Sequence, residues 1–208
     1  MHQDKIILFG DSVLFGTGAS HRNFGCGRIL RSLLSDIEVV IKGRNDDTTY
    51  QGLERLNRDV LLRNGPAFVI ILFGNNDCRL NASDKAIVSL TEYKDNLAKI
   101  ISIIKSNNKV PIISNLQPID SELFYKSLPH IKKFMINISS PRDWHEKYSC
   151  ACEGIAKQTN IKLADIRSVL LEHGRDVISQ DGLHPNNLGH KIIAEKFSEV
   201  LKEYFKND

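Results

Sequence analysis

The 208-residue sequence contains no apolar run approaching the roughly 18 residues that a membrane span requires. It has no block of like charge either. Its 28 Lys and Arg against 25 Asp and Glu leave a formal charge of +3, and the most basic stretch is the pair Lys132-Lys133. With no interleaved aromatic platform, this pattern excludes a nucleic-acid partner. The four cysteines, Cys26, Cys78, Cys150 and Cys152, are scattered and make no disulfide framework for a chain of this size. There is no Gly-x-x-x-x-Gly-Lys-Ser/Thr and no complete Gly-x-Gly-x-x-Gly. Gly16-Thr17-Gly18 is therefore turn chemistry rather than a phosphate cradle. His145, Cys150 and Cys152 fall short of a zinc set, because helical thiols two residues apart point different ways and a fourth ligand is missing. These thiols are expected to be buried or partly buried. On these motifs neither a nucleotide cofactor nor zinc is expected. Met1-His2-Gln3-Asp4 runs straight into an apolar stretch without the about 7–15 apolar residues of a secretory signal, so a cytoplasmic setting with reduced thiols is the expectation.

What is present is an ordinary globular composition, 41% hydrophobic and 25% charged. The length suits one domain over residues 1–208 with a single substantial core. Strand-like and helix-like patterns alternate. Strands are predicted at 5–9, 37–41, 67–73, 110–115 and 161–164. Helices are predicted at 24–34, 52–62, 90–104, 144–158, 166–172 and 188–205. Residues 117–143 hold three of the six prolines and show no clean periodicity. They read as an insertion, with Leu123, Phe124, Tyr125, Leu128, Phe134 and Met135 able to form an apolar lid or merely to cover the core edge. The alternation predicts an α/β fold, a three-layer α/β/α sandwich on a five-stranded, mainly parallel, flavodoxin-like sheet of order 2-1-3-4-5.

In such sheets, reactive groups lie beyond the carboxyl ends of the strands. Ile6-Ile7-Leu8-Phe9 ends in Gly10-Asp11-Ser12, which puts a hydroxyl just past the first strand, where it can serve as a nucleophile if a base and an oxyanion site are supplied. The third strand ends in Phe73-Gly74-Asn75-Asn76-Asp77, and its neighbour in the sheet is the first strand. The Asn76 amide can donate into the shared space, a contribution worth about 2.7–4 kcal/mol in acyl transfer. The second strand ends in the turn-rich Gly43-Arg44-Asn45-Asp46-Asp47-Thr48, whose backbone N–H groups offer another donor. Asp181-Gly182-Leu183-His184-Pro185 places a carboxylate and an imidazole three apart on a Gly-containing loop. The Asp can accept from Nδ1–H and leave Nε2 to take a serine proton. His190 is expected to face the first turn of the last helix, and His2, His21, His130 and His173 to be surface or loop residues. Asp11 and Asp77 are expected to orient neighbours through hydrogen bonds rather than hold a metal.

Taken together and in chain order, these segments resemble the SGNH hydrolases, also called the GDSL esterase/lipase family. Gly10-Asp11-Ser12 is similar to the first block, Gly74-Asn75-Asn76-Asp77 to the Gly-x-Asn-Asp block, and Asp181-x-x-His184-Pro185 to the last. The resemblance implies that Ser12 is the nucleophile, His184 the base and Asp181 its orienting acid. It implies an oxyanion site made by the N–H of Ser12, the N–H of Asp46 and the side chain of Asn76. Asp47-Thr48-Thr49-Tyr50-Gln51-Gly52-Leu53 is similar to the segment after the second block, with one departure: Asp46 stands where the family places Gly. Asp supplies the same N–H and tolerates positive φ better than most residues. Its carboxylate would repel an anionic intermediate if it pointed inward.

The expected activity is hydrolysis of a small acyl ester, acetyl or short-chain, through an acyl-enzyme and without a cofactor. The same residues suit a lysophospholipase or acyl-thioester hydrolase, and the Asp46 departure also admits a non-catalytic binding module on the same fold. The partner is a small-molecule acyl ester; the sequence leaves the oligomeric state open.

Overall fold

The computed structural model describes residues 5–81, 83–129 and 140–205. His2, His130, Phe134 and Met135 lie outside the described residues. Five strands, β1 (Lys5–Gly10), β2 (Glu38–Gly43), β3 (Phe68–Leu72), β4 (Val110–Ser114) and β5 (Lys162–Ala164), form one sheet in the order β2-β1-β3-β4-β5. Every pairing is parallel, with Ile6 beside Val39 on one side and Phe68 on the other. The continuous apolar runs of β1 and β3 are buried along their length, as a strand covered on both faces must be.

The helices are α1 (Ser12–Phe15), α2 (Cys26–Leu33), α3 (Thr49–Leu56), α4 (Leu90–Ser106), α5 (Ser121–Ser127), α6 (Pro141–Thr159), α7 (Ile166–Leu171) and α8 (Asn187–Phe205). α2 and α7 pack with α8, while α3 and α6 pack with α4. Successive strand residues point to opposite faces. Gly27 of α2 lies against Leu8 and Ile41, whereas Gly52 of α3 lies against the ring of Phe73, which meets Phe9 edge-on at 5.2 Å. The two helix groups therefore cover opposite faces, giving the expected three-layer sandwich. Among the described residues no helix is long and apolar enough to cross a membrane.

Local chemistry moves several boundaries from the sequence reading. α3 starts at Thr49 because Thr48 and Gln51 close a capping box, and the chain beyond Leu56 widens into a π-turn at Asn57–Leu61. Residues 141–143 belong to α6 rather than to the insertion: Ser140 caps the helix and Pro141 takes its first position, where a missing N–H costs nothing. The insertion contains α5, capped by Asp120, which accepts from Glu122 and Leu123 N–H groups. Cys150 is exposed, against expectation, while Cys26, Cys78 and Cys152 are buried.

Among the glycines, the tightest approach is at the end of β1. A Cβ on Gly10 would lie 2.0 Å from the carbonyl oxygen of Leu72. Gly154, inside α6, has open space around its Cα. In urea unfolding, Gly10→Ala should therefore cost about 3 kcal/mol, the upper end for overpacking. Gly154→Ala should add about 0.5–1 kcal/mol by restricting the unfolded chain and favouring helix.

Candidate active site

The carboxyl ends of β1 and β3 lead into two turns that share one cavity. Asp11 caps α1 by accepting from Val13 N–H at 3.0 Å, which sets Ser12 at the first helical position. His184 arrives from the far end of the chain: its Nε2 is 3.0 Å from Ser12 Oγ. Its Nδ1 is 2.6 Å from Asp181 Oδ2. The other Asp181 oxygen accepts from Ser179 Oγ at 2.7 Å, Leu183 N–H at 2.8 Å and His184 N–H at 2.9 Å. Partial burial works against the ionised Asp181, but these donors, His184 foremost, outweigh it and hold its carboxyl well below the usual range. An ionised Asp181 is an acceptor only, so Nδ1 carries the imidazole proton and Nε2 presents a lone pair to Ser12.

The loop carrying His184 is seated from two sides. Gly18, at φ 93°, lets the chain after α1 come so close that a Cβ there would lie 2.6 Å from His184 Cβ. From the other side, Asp120 N–H donates to Gly182 O at 2.8 Å and Ser127 Oγ to Asp181 O at 3.0 Å, which attaches α5 to the loop.

Asn76 and Asp46 face the same cavity as Ser12 and His184. One Asn76 amide N–H donates to Asp47 O at 3.0 Å, tying the two turns together. Asp46 adopts φ 62°, the left-handed conformation expected for the glycine it replaces. Among the described residues, neither the Ser12 N–H nor the Asp46 N–H has an acceptor. Four of the five predicted site residues, Ser12, Asp46, Asn76 and His184, thus line one cavity of about 350 Å³, and Asp181 is joined to it through His184. Its wall includes Leu80, Ile119, Phe124, Leu128, Trp144 and Leu183. Of the apolar residues named in the insertion, Phe124 and Leu128 reach it among those described.

Beneath the cavity lies a buried polar cluster that sequence reasoning missed. The Asn75 amide donates to Asp11 Oδ2 at 2.9 Å. Its oxygen lies 2.8 Å from both Gln117 Nε2 and His145 Nε2. Gln117 donates also to Leu183 O, at 3.1 Å, next to His184. Burial pushes the Asp11 carboxyl up to about 7, against the donors from Val13 and Asn75. Burial first, then the Arg167 charge, lowers His145 to about 3, so it is a neutral donor here. Asp77 accepts from Thr49 N–H at 3.0 Å and from Thr49 Oγ1 at 2.5 Å, and burial raises it to about 6. Both carboxylates orient neighbours, as expected. The partners of Asn75 lie 42 to 70 residues away in sequence, and no local signal joins them.

His190 sits in the first turn of α8, buried, with Nε2 2.9 Å from Thr17 O and Nδ1 accepting from Cys26 N–H at 3.3 Å. It holds the chain after α1 against α2 and α8, behind Ser12 rather than in the cavity.

A parallel five-stranded sandwich with a Ser–His–Asp hydrogen-bond chain beyond its carboxyl edge is the architecture of an acyl-transfer hydrolase. Residues 8–192 match the model of the GDSL-like lipase/acylhydrolase family. A GDSL esterase/lipase of Arabidopsis thaliana is 31% identical, with 98% of this chain and 88% of that protein covered. The isoamyl acetate-hydrolyzing esterase of Saccharomyces cerevisiae is 23% identical over 99% of this chain and 89% of its own. Among solved structures, a lipase/acylhydrolase from Enterococcus faecalis superposes with a TM-score of 0.76 at 20% identity, covering 97% of each chain. The chain belongs to the GDSL-like lipase/acylhydrolase family, and with it to the carboxylic ester hydrolases.

Two measurements check the polar framework. Asn75→Ala leaves His145 without its acceptor, Gln117 with Leu183 O alone, and Asp11 short of a donor. Denaturant unfolding should show a loss of about 3 kcal/mol. For His190, burial lowers the imidazole to about 4, aided by the nearby His184 charge and opposed by the Thr17 carbonyl. The unfolded chain then binds more protons between about pH 4 and pH 6.5, so this contribution is intact above pH 6.5 and is lost as pH falls through that window. Asp11 and Asp77, both raised, act in the opposite sense. The difference in unfolding free energy between wild type and His190→Gln isolates the histidine, and should shrink by about 2 kcal/mol from pH 7 to pH 4.5.

Proposed function

We propose that this protein is a serine esterase that hydrolyses short- to medium-chain aliphatic esters through an acyl-enzyme. The observation that carries this reading is the unbroken Ser12–His184–Asp181 hydrogen-bond chain opening onto an apolar cavity. His184 takes the Ser12 proton through Nε2 as Oγ attacks the acyl carbon, and Asp181 stabilises the imidazolium that forms. The oxyanion accepts from the Ser12 N–H, the Asp46 N–H and the second N–H of the Asn76 amide, whose first is held by Asp47 O. His184 returns its proton to the leaving alkoxide. It then activates water, which attacks the acyl carbon and releases the acid and free Ser12. These steps need no cofactor.

The substrate class follows from the walls. A cavity of about 350 Å³ lies at the small end of ligand sites, and its apolar lining favours an aliphatic group over a sugar. Each buried methylene adds about 0.8 kcal/mol. The yeast relative, named for hydrolysing isoamyl acetate, supports a small apolar ester.

Hydrolysis of p-nitrophenyl esters tests both parts. Ser12→Ala should lower kcat by at least about a thousandfold, and equal rates would remove the reading. Across acetate, butyrate, octanoate and palmitate, kcat/KM should peak at butyrate or octanoate. A peak at palmitate would point to a lysophospholipase-like preference instead.

A further inference from the structure

Asp46 carries two groups of opposite consequence. Its N–H is assigned above to the oxyanion, and its carboxylate hangs from the same residue on the rim of the same cavity. Negative charge near a developing oxyanion raises the barrier that the donors lower. Arg79 Nη1 lies 3.3 Å from Asp46 Oδ1. Among the described residues, no other cation pairs with Asp46; the neighbouring Arg44 and Arg55 are engaged with Asp59, and Arg55 also with Asp47.

The position of Arg79 is set by its turn. Cys78 N–H bonds to Gly74 O and Arg79 N–H to Asn76 O, so Arg79 lies on the same hydrogen-bonded turn as Asn76. The Asp46–Arg79 pair therefore joins the two loops that supply the side-chain and backbone donors, parallel to the bond from Asn76 to Asp47 O. Both side chains are more than half exposed, at 54% for Arg79 and 79% for Asp46. A pair this open adds little to stability. Its effect on a nearby developing charge is a separate matter, and depends on where the carboxylate is held.

We propose that Arg79 is a positioning residue that holds the Asp46 carboxylate away from the oxyanion site and cancels its charge. The proposal rests on the serine-esterase reading. It makes Asp46 usable in a position where a side-chain charge would otherwise oppose catalysis.

The test compares Arg79→Gln, Asp46→Asn and the double variant on p-nitrophenyl butyrate, with wild type and Ser12→Ala alongside. At about 0.01 M salt, where exposed charges are little screened, Arg79→Gln should lower kcat about tenfold with KM within about twofold. The double variant should recover most of that loss, because the charge to be restrained is gone. At about 1 M salt the Arg79→Gln deficit should fall to about twofold or less. Arg79→Lys, which keeps the charge, should lose less than Arg79→Gln; this comparison serves if the Gln variant folds poorly. An unchanged kcat in Arg79→Gln, or a double variant no faster than the single, would overturn the proposal. Wild type no faster than Ser12→Ala would instead remove the serine reading, and this inference with it.

Discussion

The carboxamide of Asn75 is the contact on which the site's geometry depends. It is buried, and it joins the turn after β1, the segment after β4 and helix α6 through Asp11, Gln117 and His145. Gln117 extends the reach to Leu183 and so to the loop of His184. Every partner is itself buried or nearly so, where an unpaired polar group costs about 1–3 kcal/mol. That penalty fixes the arrangement: once Asp11 and Gln117 are in place, the amide has one orientation that satisfies both. Ser12 stands on the first of these segments, Asn76 on the turn that holds Asn75 itself, and His184 on the loop reached through Leu183. An apolar cavity thus rests on a polar floor whose hydrogen bonds, rather than shape alone, set where its Ser12, Asn76 and His184 side chains lie.

A second cluster does the same for the neighbouring edge. Arg55 is buried and donates to Gly10 O at 2.8 Å and Lys42 O at 2.9 Å, while pairing with Asp47 and Asp59. Its guanidinium lies 4.5 Å from the centre of the Phe9 ring. The planar fork meets two strand ends and two carboxylates at once, which a lysine ammonium would not do. Burying such a charge stabilises only if its donors are engaged. Here they hold the loop of Asp46 and Asp47 against the end of β1, within reach of the Asn76 turn.

The sheet and the Ser12–His184–Asp181 hydrogen-bond chain are legible because each has a local signature. Continuous apolar runs mark β1 and β3, and the order of the strands follows from short right-handed crossovers. Ser12 and His184 could be singled out because Gly-Asp-Ser and Asp-x-x-His-Pro put chemistry at strand and loop ends. Asn75 had no such mark. It sits beside Asn76 in the same tetrapeptide, and only three-dimensional pairing separates a side chain aimed at the cavity floor from one at its rim. For His145 the sequence offers only its spacing from Cys150 and Cys152 on α6, whereas its partner lies 70 residues away. The start of α3 moved to Thr49 for the converse reason: the Thr48–Gln51 capping box was present in the sequence, but the apolar periodicity that drew the boundary begins later.

Trp144 is the only tryptophan in the chain. Its indole forms part of the cavity wall, with its N–H bonded to Cys78 O at 2.6 Å and the Lys147 ammonium 5.2 Å from its ring. An indole so bonded, with one surface toward the cavity, is a built-in fluorophore. Its emission reports on what lies beside it, and no other indole in the molecule dilutes that signal. The protein therefore carries its own optical gauge of occupancy, one that responds when the cavity fills and not only when an ester bond breaks.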